Sequence, residues 1–188
     1  FTQSGTPLML SVEGVKRTQW TLVLTKPKQQ FVLNDVLSEP VFSFNRFFTA
    51  PIQLKVHHSV EDQQVLALYE SDPISRWQAM QELMYGEIEA LLNHTAGQED
   101  WSLSETMTGM MQAFLRDEDS DPSLIAMCLT WPDEHAILQR FSVDIDRIAR
   151  AYLRIRHVLA EQFSDQWLAL YNRCNSHHHY QFNQKAVG

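Results

Sequence analysis

DPISRWQAMQELM, residues 72–84, is the stretch at which the spacing of apolar side chains turns from alternating to helical. Asp72 is placed to cap free backbone N–H groups, and Pro73 at the first helical position has no N–H to lose. Ile74, Trp77, Met80 or Gln81, Met84, Ile88 and Leu91 then recur at intervals of three and four, which predicts one helix with one buried stripe, Trp77 anchoring its start in the core. Arg76 is the odd residue. A cation near the positive end of a helix gains nothing from that helix, so Arg76 is expected to answer a carboxylate, Asp72 or Glu70, and to hold the junction with what precedes it.

Working outward toward the C-terminus, SVEDQQVLALYE from Ser59 already has helical spacing, and SETMTGMMQAFL, DPSLIAMCLT, PDEHAILQRF, DIDRIARAYLRIRHVLAEQF and SDQWLALYNRC each read as one helix. Asp121-Pro122 repeats the Asp72-Pro73 device, and Asp133, Asp144 and Ser164 are further candidate caps. Short connections imply antiparallel neighbours, hence stacked helical hairpins in a superhelical array. No repeat is regular enough to name one from its period.

Toward the N-terminus the pattern is that of strands: SVEGV, QWTLVLT, FVLNDV, VFSFNRFF and PIQLKV, punctuated by Pro27, Pro40 and Pro51. Fewer than 60 residues cannot cover two sheets, so these strands are expected to be the end of an antiparallel, immunoglobulin-like β-sandwich. The predicted fold is therefore α+β in two parts, a partial sandwich over residues 1–58 and an α-helical array over residues 59–188. Charge divides at the same place: residues 1–58 carry six Lys/Arg against three Asp/Glu, and residues 59–188 nine against twenty.

A formal net charge of −8 and a pI near 5.4 argue against a nucleic-acid surface. No apolar run approaches the ~20 residues of a membrane helix, and FTQSGTPLML has neither the positive start nor the apolar stretch of a signal peptide. A start at Phe1, directly in strand-like sequence, suggests an excerpt of a longer protein. Cys128 and Cys174, far apart and in helical patterns, read as buried thiols of a reducing cytoplasm.

Asp117, Asp119 and Asp121 have the alternate spacing of a calcium loop, but Pro122 replaces its turn-making Gly and Cys128 its bidentate Glu, so capping within a solvated loop fits better. Glu134-His135 lacks the second His of a zinc-protease helix, and the runs His57-His58 and His177-His178-His179 consist of adjacent residues that rarely aim their rings at one ion. There is no nucleophile elbow and no Gly-rich phosphate loop. Arg147, Arg150, Arg154 and Arg156 give one helix a basic side, which reads either as a solvated face paired with nearby acids or as an interdomain or substrate-facing surface. No catalytic, cofactor-binding or metal residue is assigned. Asp72, Pro73, Arg76 and Trp77 are assigned structural roles at the junction and helix start.

The order of these segments carries more than any single site. QQFVLNDVLSEPVFSFNRFFTAPIQLKV, then SRWQAMQELM, DPSLIAMCLTWPDEHAILQRF and the LALYN of QWLALYN resemble the bacterial aminopeptidase N family over roughly residues 18–173. That family is zinc-dependent and removes N-terminal residues from peptides. The resemblance implies a segment running from the end of the family's β-sandwich domain into its α-helical domain, with the remaining domains and peptide substrates as partners in the parent. The family's His-Glu-x-x-His and Gly-x-Met-Glu-Asn motifs are absent from these residues, so zinc is expected in the parent and not in this segment, whose role would be packing on the catalytic domain and enclosing the substrate. The rival reading is a stand-alone interaction module, a β-domain joined to a helical scaffold; a metal-handling role for the His run is a third.

Overall fold

A computed structural model describes residues 1–36, 38–94 and 100–175. The first part holds a two-stranded antiparallel sheet, β1 (Leu10–Val12) and β2 (Val15–Arg17), with Val12 opposite Val15. The sequence SVEGV, read as a single strand, is thus a hairpin. Its two central residues, Glu13 and Gly14, have φ of 50° and 82°, the left-handed pair that matches the twist of a two-residue turn. Ser11 and Asn34 form one further antiparallel bridge. The other predicted strands make no ladder among the described residues. They have strand composition, but a ladder needs a neighbour, and Leu22, Val23, Leu24, Ile52, Leu54 and Val56 stay exposed.

Among the described residues the second part holds six helices: α1 (Val60–Tyr69), α2 (Pro73–Asn93), α3 (Glu105–Arg116), α4 (Pro122–Leu129), α5 (Glu134–Arg140) and α6 (Ile145–Cys174). Every one has a side-chain cap. Ser59 and Asp62 form a reciprocal capping box on α1, and Asp72, Ser104, Asp121, Asp133 and Asp144 accept from free N–H groups of the helices they precede. Ser164 is not a cap. The two predicted C-terminal helices run on within α6, which is kinked at the boundary between them: the buried Phe163 has a non-helical φ of −125° and ψ of 17°, one residue before Ser164.

α2 is the central rod, packed against α1, α3, α4 and α6. Its buried face is Ala79, Met80, Leu83, Met84, Glu87, Ile88, Leu91 and Leu92, close to the predicted stripe, while Ile74 and Trp77 are only half-buried at its edge. α6 contributes Ile148, Ala151, Ile155, Val158, Leu159 and Phe163. Among the described residues the first part adds one buried side chain, Val41, to this core, with Phe1 packed against it. Among the described residues no helix is long and apolar enough to cross a membrane.

Candidate functional site

The residues linking the two parts gather around the loop between α1 and α2. Asp72 caps α2 through Ile74 N at 3.4 Å and Ser75 N at 3.3 Å, and its Oδ2 also accepts from Ser75 Oγ at 2.6 Å and from Phe47 N at 3.2 Å. One carboxylate therefore starts the helix and binds the first part. Pro73 occupies the first turn of α2.

Arg76 meets neither Asp72 nor Glu70, the partners expected from sequence. Its Nε donates to Ala67 O at 2.8 Å, in the last turn of α1, and its Nη atoms reach Ser120 Oγ at 2.9 Å and Asp117 Oδ2 at 3.3 Å. The guanidinium also lies 5.1 Å from the centre of the Phe114 ring. A cation misplaced on its own helix dipole is thus well placed at the negative end of the preceding helix. Arg76 ties α1, α2 and the α3–α4 loop together, inside the helical array.

A charged contact between the parts is made by Arg46 and Glu70. Arg46 Nε donates to Glu70 Oε1 at 3.0 Å, and Nη2 lies 2.8 Å from the same oxygen. Glu70 Oε1 also accepts from Ser71 N at 2.6 Å and Asp72 N at 2.9 Å. The dipole argument applied to Arg76 finds this pair as well: Glu70 is the C-cap of α1, where a buried carboxylate opposes the helix dipole and needs a cation. Glu87 was missed too; its carboxylate accepts from Ser104 N and Ser104 Oγ at the start of α3.

Beside this junction a cleft of about 880 Å³ separates residues 43–58 from α2 and α5. Phe44, Phe48, Leu54 and Trp77 supply apolar walls, and Arg140 and Glu82 a polar end, where they form a bidentate pair at 2.7 and 2.6 Å. Trp77 is therefore a wall of the cleft as well as a packing residue.

The remaining candidates are mostly occupied by local bonding. Asp117 Oδ1 accepts from Asp119 N and Ser120 N, and Asp121 Oδ1 from Ser123 N and Leu124 N, so the acidic run folds on itself as turn and cap. Arg147 donates to Leu92 O and Arg154 to Trp101 O at 2.7 Å, fastening α6 to the end of α2 and the approach to α3 instead of pairing with acids. Arg156 lies over Tyr152, and Arg150 is exposed. His135 bonds Gln139 on the surface, and His57 and His58 border the cleft. His177, His178 and His179 lie outside the described residues. Among the described residues no three His, Cys, Asp or Glu side chains converge as a metal site would require.

Two electrostatic consequences are measurable. Desolvation works to raise the Asp72 carboxyl, but bonds from Ser75, Phe47 and Ile74 outweigh it and hold it below the usual carboxylate range; for Asp117, bonds from Ser120, Asp119 and Arg76 do the same. A carboxyl depressed in the folded state stabilises fully above its unfolded value, about 3.9, and loses that contribution as the pH falls through the lower folded value. The array is expected to weaken below about pH 4, and Asp117→Asn should flatten that decline in urea midpoints taken at stepped pH.

The cysteines differ in the same legible way. Burial raises the Cys128 thiol to about 11, only partly offset by Arg76, whereas Cys174, expected from sequence to be buried, is exposed at the end of α6. A thiol reagent should modify Cys174 quickly in the native chain and Cys128 only on unfolding. Equal rates would show that α4 does not bury its cysteine.

A family model described as "Domain of unknown function (DUF3458_C) ARM repeats" matches residues 60–188. Aminopeptidase N of Escherichia coli K12 is 33% identical over 154 residues, 80% of this chain and 18% of that protein. Aminopeptidase N of Haemophilus influenzae is 23% identical over 188 residues, 100% of this chain and 21% of that protein, and that of Caulobacter vibrioides 28% identical over 152 residues, 79% and 17%. The chain thus spans about a fifth of the length of these curated relatives. Among solved structures, Legionella pneumophila aminopeptidase A in complex with aspartic acid superimposes with a TM-score of 0.56 at 20% identity, over 73% of this chain and 16% of that one, a likeness of fold alone.

Proposed function

This chain belongs to the DUF3458_C family of ARM-repeat domains, and from that premise we propose that it is a non-catalytic segment of a zinc-dependent aminopeptidase N, with residues 1–58 closing a β-sandwich domain and residues 59–188 opening a helical one. The observation that carries this reading is the collinear similarity to the Escherichia coli enzyme over 154 residues. The parent's chemistry is hydrolysis of the N-terminal peptide bond, in which zinc polarises the carbonyl and activates water. This segment supplies none of the ligands: its described side chains do not fit a zinc site, and its sequence has no His-Glu-x-x-His. Its contribution is packing on the catalytic domain and enclosing the peptide. The reading places the parent in the cytoplasm, a reducing compartment in which free thiols such as Cys128 and Cys174 persist.

The test is release of a chromophore from leucine and alanine derivatives, with and without added zinc, by this chain and by its longer gene product. The chain is expected to be inactive and the longer product active. Zinc-dependent turnover by the chain alone, abolished by His135→Ala, would overturn the reading.

A further inference from the structure

The turn around Arg46 is the most strained segment among the described residues, with φ of 50°, 56° and 52° at Asn45, Phe47 and Phe48. Left-handed backbone is unfavourable for L side chains, least so for Asn, and burial gives the two phenylalanines nothing in return, since they are 59% and 61% exposed. Polar bonds hold the turn. The Asn45 side chain closes on Ala50 N and O at 3.0 Å each, Phe47 N donates to Asp72, and the Arg46 guanidinium spans Glu70, Ser71 Oγ at 2.5 Å and Gln19 Oε1 at 2.8 Å.

Glu70 carries a matching cost. Its side chain is 0% exposed, and while Oε1 gathers every bond described above, Oε2 is sealed from solvent without a partner. A buried carboxylate satisfied on one oxygen persists because its cation is present, and breaking such a pair leaves a charge with no compensation. Other ties between the parts are Phe47 N to Asp72 at 3.2 Å, Gln3 Nε2 to Asp62 Oδ1 at 3.0 Å and the packing of Phe1 and Val41 on the core. Among the described residues Val41 is the first part's one buried side chain in the core, and the cleft occupies the boundary from Asn45 and Phe48 to Val56 and His58.

We propose that the Arg46–Glu70 pair is a latch that sets the orientation of the first part on the helical array, and that its release opens the cleft between residues 43–58 and α2 while the array stays folded. Strained backbone and a half-satisfied carboxylate meet at one ion pair, and once it breaks the Phe47 N–Asp72 bond is the remaining tie between this turn and α2. The latch involves residues of this chain alone, and its failure would leave the proposed activity of the parent standing.

Spin labels at Gln53→Cys and Gln78→Cys, on opposite walls of the cleft, report its width in the full 188-residue chain with Cys174→Ser; the buried Cys128 stays unlabelled. Glu70→Gln or Arg46→Met is expected to broaden the distance distribution roughly twofold, as for a hinge set free, while amides of α3 and α6 keep their exchange protection. The double variant should broaden it no further than either single change, because both remove one interaction. An unchanged distribution, broadening that appears only together with lost protection in α3 and α6, or additive broadening in the double variant would each overturn the latch.

Discussion

Phe114→Ala is expected to lower the unfolding free energy of the helical array by about 4 kcal/mol, in the range for deletion of a fully buried aromatic ring. Phe114 is 1% exposed in α3, beside the core methionines Met107, Met110 and Met111. Its loss leaves a cavity in the core and removes the face on which the Arg76 guanidinium rests. Trp77→Ala is the informative comparison. The sequence made Trp77 the aromatic anchor, but its position at the edge of the core and the wall of the cleft limits the expected cost to about 1–2 kcal/mol. Urea unfolding followed by far-ultraviolet circular dichroism measures both. A larger effect at Trp77 than at Phe114 would show that the core has been placed on the wrong side of α2.

Arg76→Met is expected to cost about 3 kcal/mol at neutral pH, because the change keeps the apolar stem but leaves Ala67 O, Ser120 Oγ and Asp117 without their shared donor. The side chain is 12% exposed, so water replaces those bonds poorly. Arg76→Lys should recover little, since one ammonium cannot reach three acceptors set around a planar fork. A double-mutant cycle with Asp117→Asn separates the ion pair from the other bonds: Asp117 keeps the amides of Asp119 and Ser120, so its own loss should be smaller and should partly overlap that of Arg76. Full additivity would mean that the two side chains do not act together.

Local chemistry was the legible part of this fold. The Asp-Pro starts at Asp72 and Asp121 and the caps at Asp133 and Asp144 were readable because each acts on N–H groups two or three residues away. The α2 stripe was readable because helical spacing is also local. What the sequence hid was pairing across distance. Arg76 meets Asp117 41 residues on, and Arg46 meets Glu70 24 residues on; sequence alone marks such residues as in need of a partner without naming it. Glu70 showed that need as plainly as Arg76, through its place at the wrong end of a helix.

The strands were misread for a related reason. Alternation in QWTLVLT and PIQLKV reports a suitable surface, but a sheet forms only where a second strand completes the bonds, and among the described residues β1 and β2 alone form a ladder. The hairpin within SVEGV escaped notice because Glu-Gly is a weaker turn signal than Asn-Gly or Asp-Gly. At α6 the signal at Ser164 marked a real break, since the backbone leaves helical geometry at the buried Phe163 one residue before it and α6 kinks there.

The central claim, that this chain is a non-catalytic segment of an aminopeptidase, is tested most directly by sequencing the gene upstream of the codon for Phe1. The account predicts an open frame that runs on into a β-sandwich and a catalytic domain carrying His-Glu-x-x-His and Gly-x-Met-Glu-Asn. A frame that opens at or just before Phe1, or that extends upstream without those motifs, would contradict it.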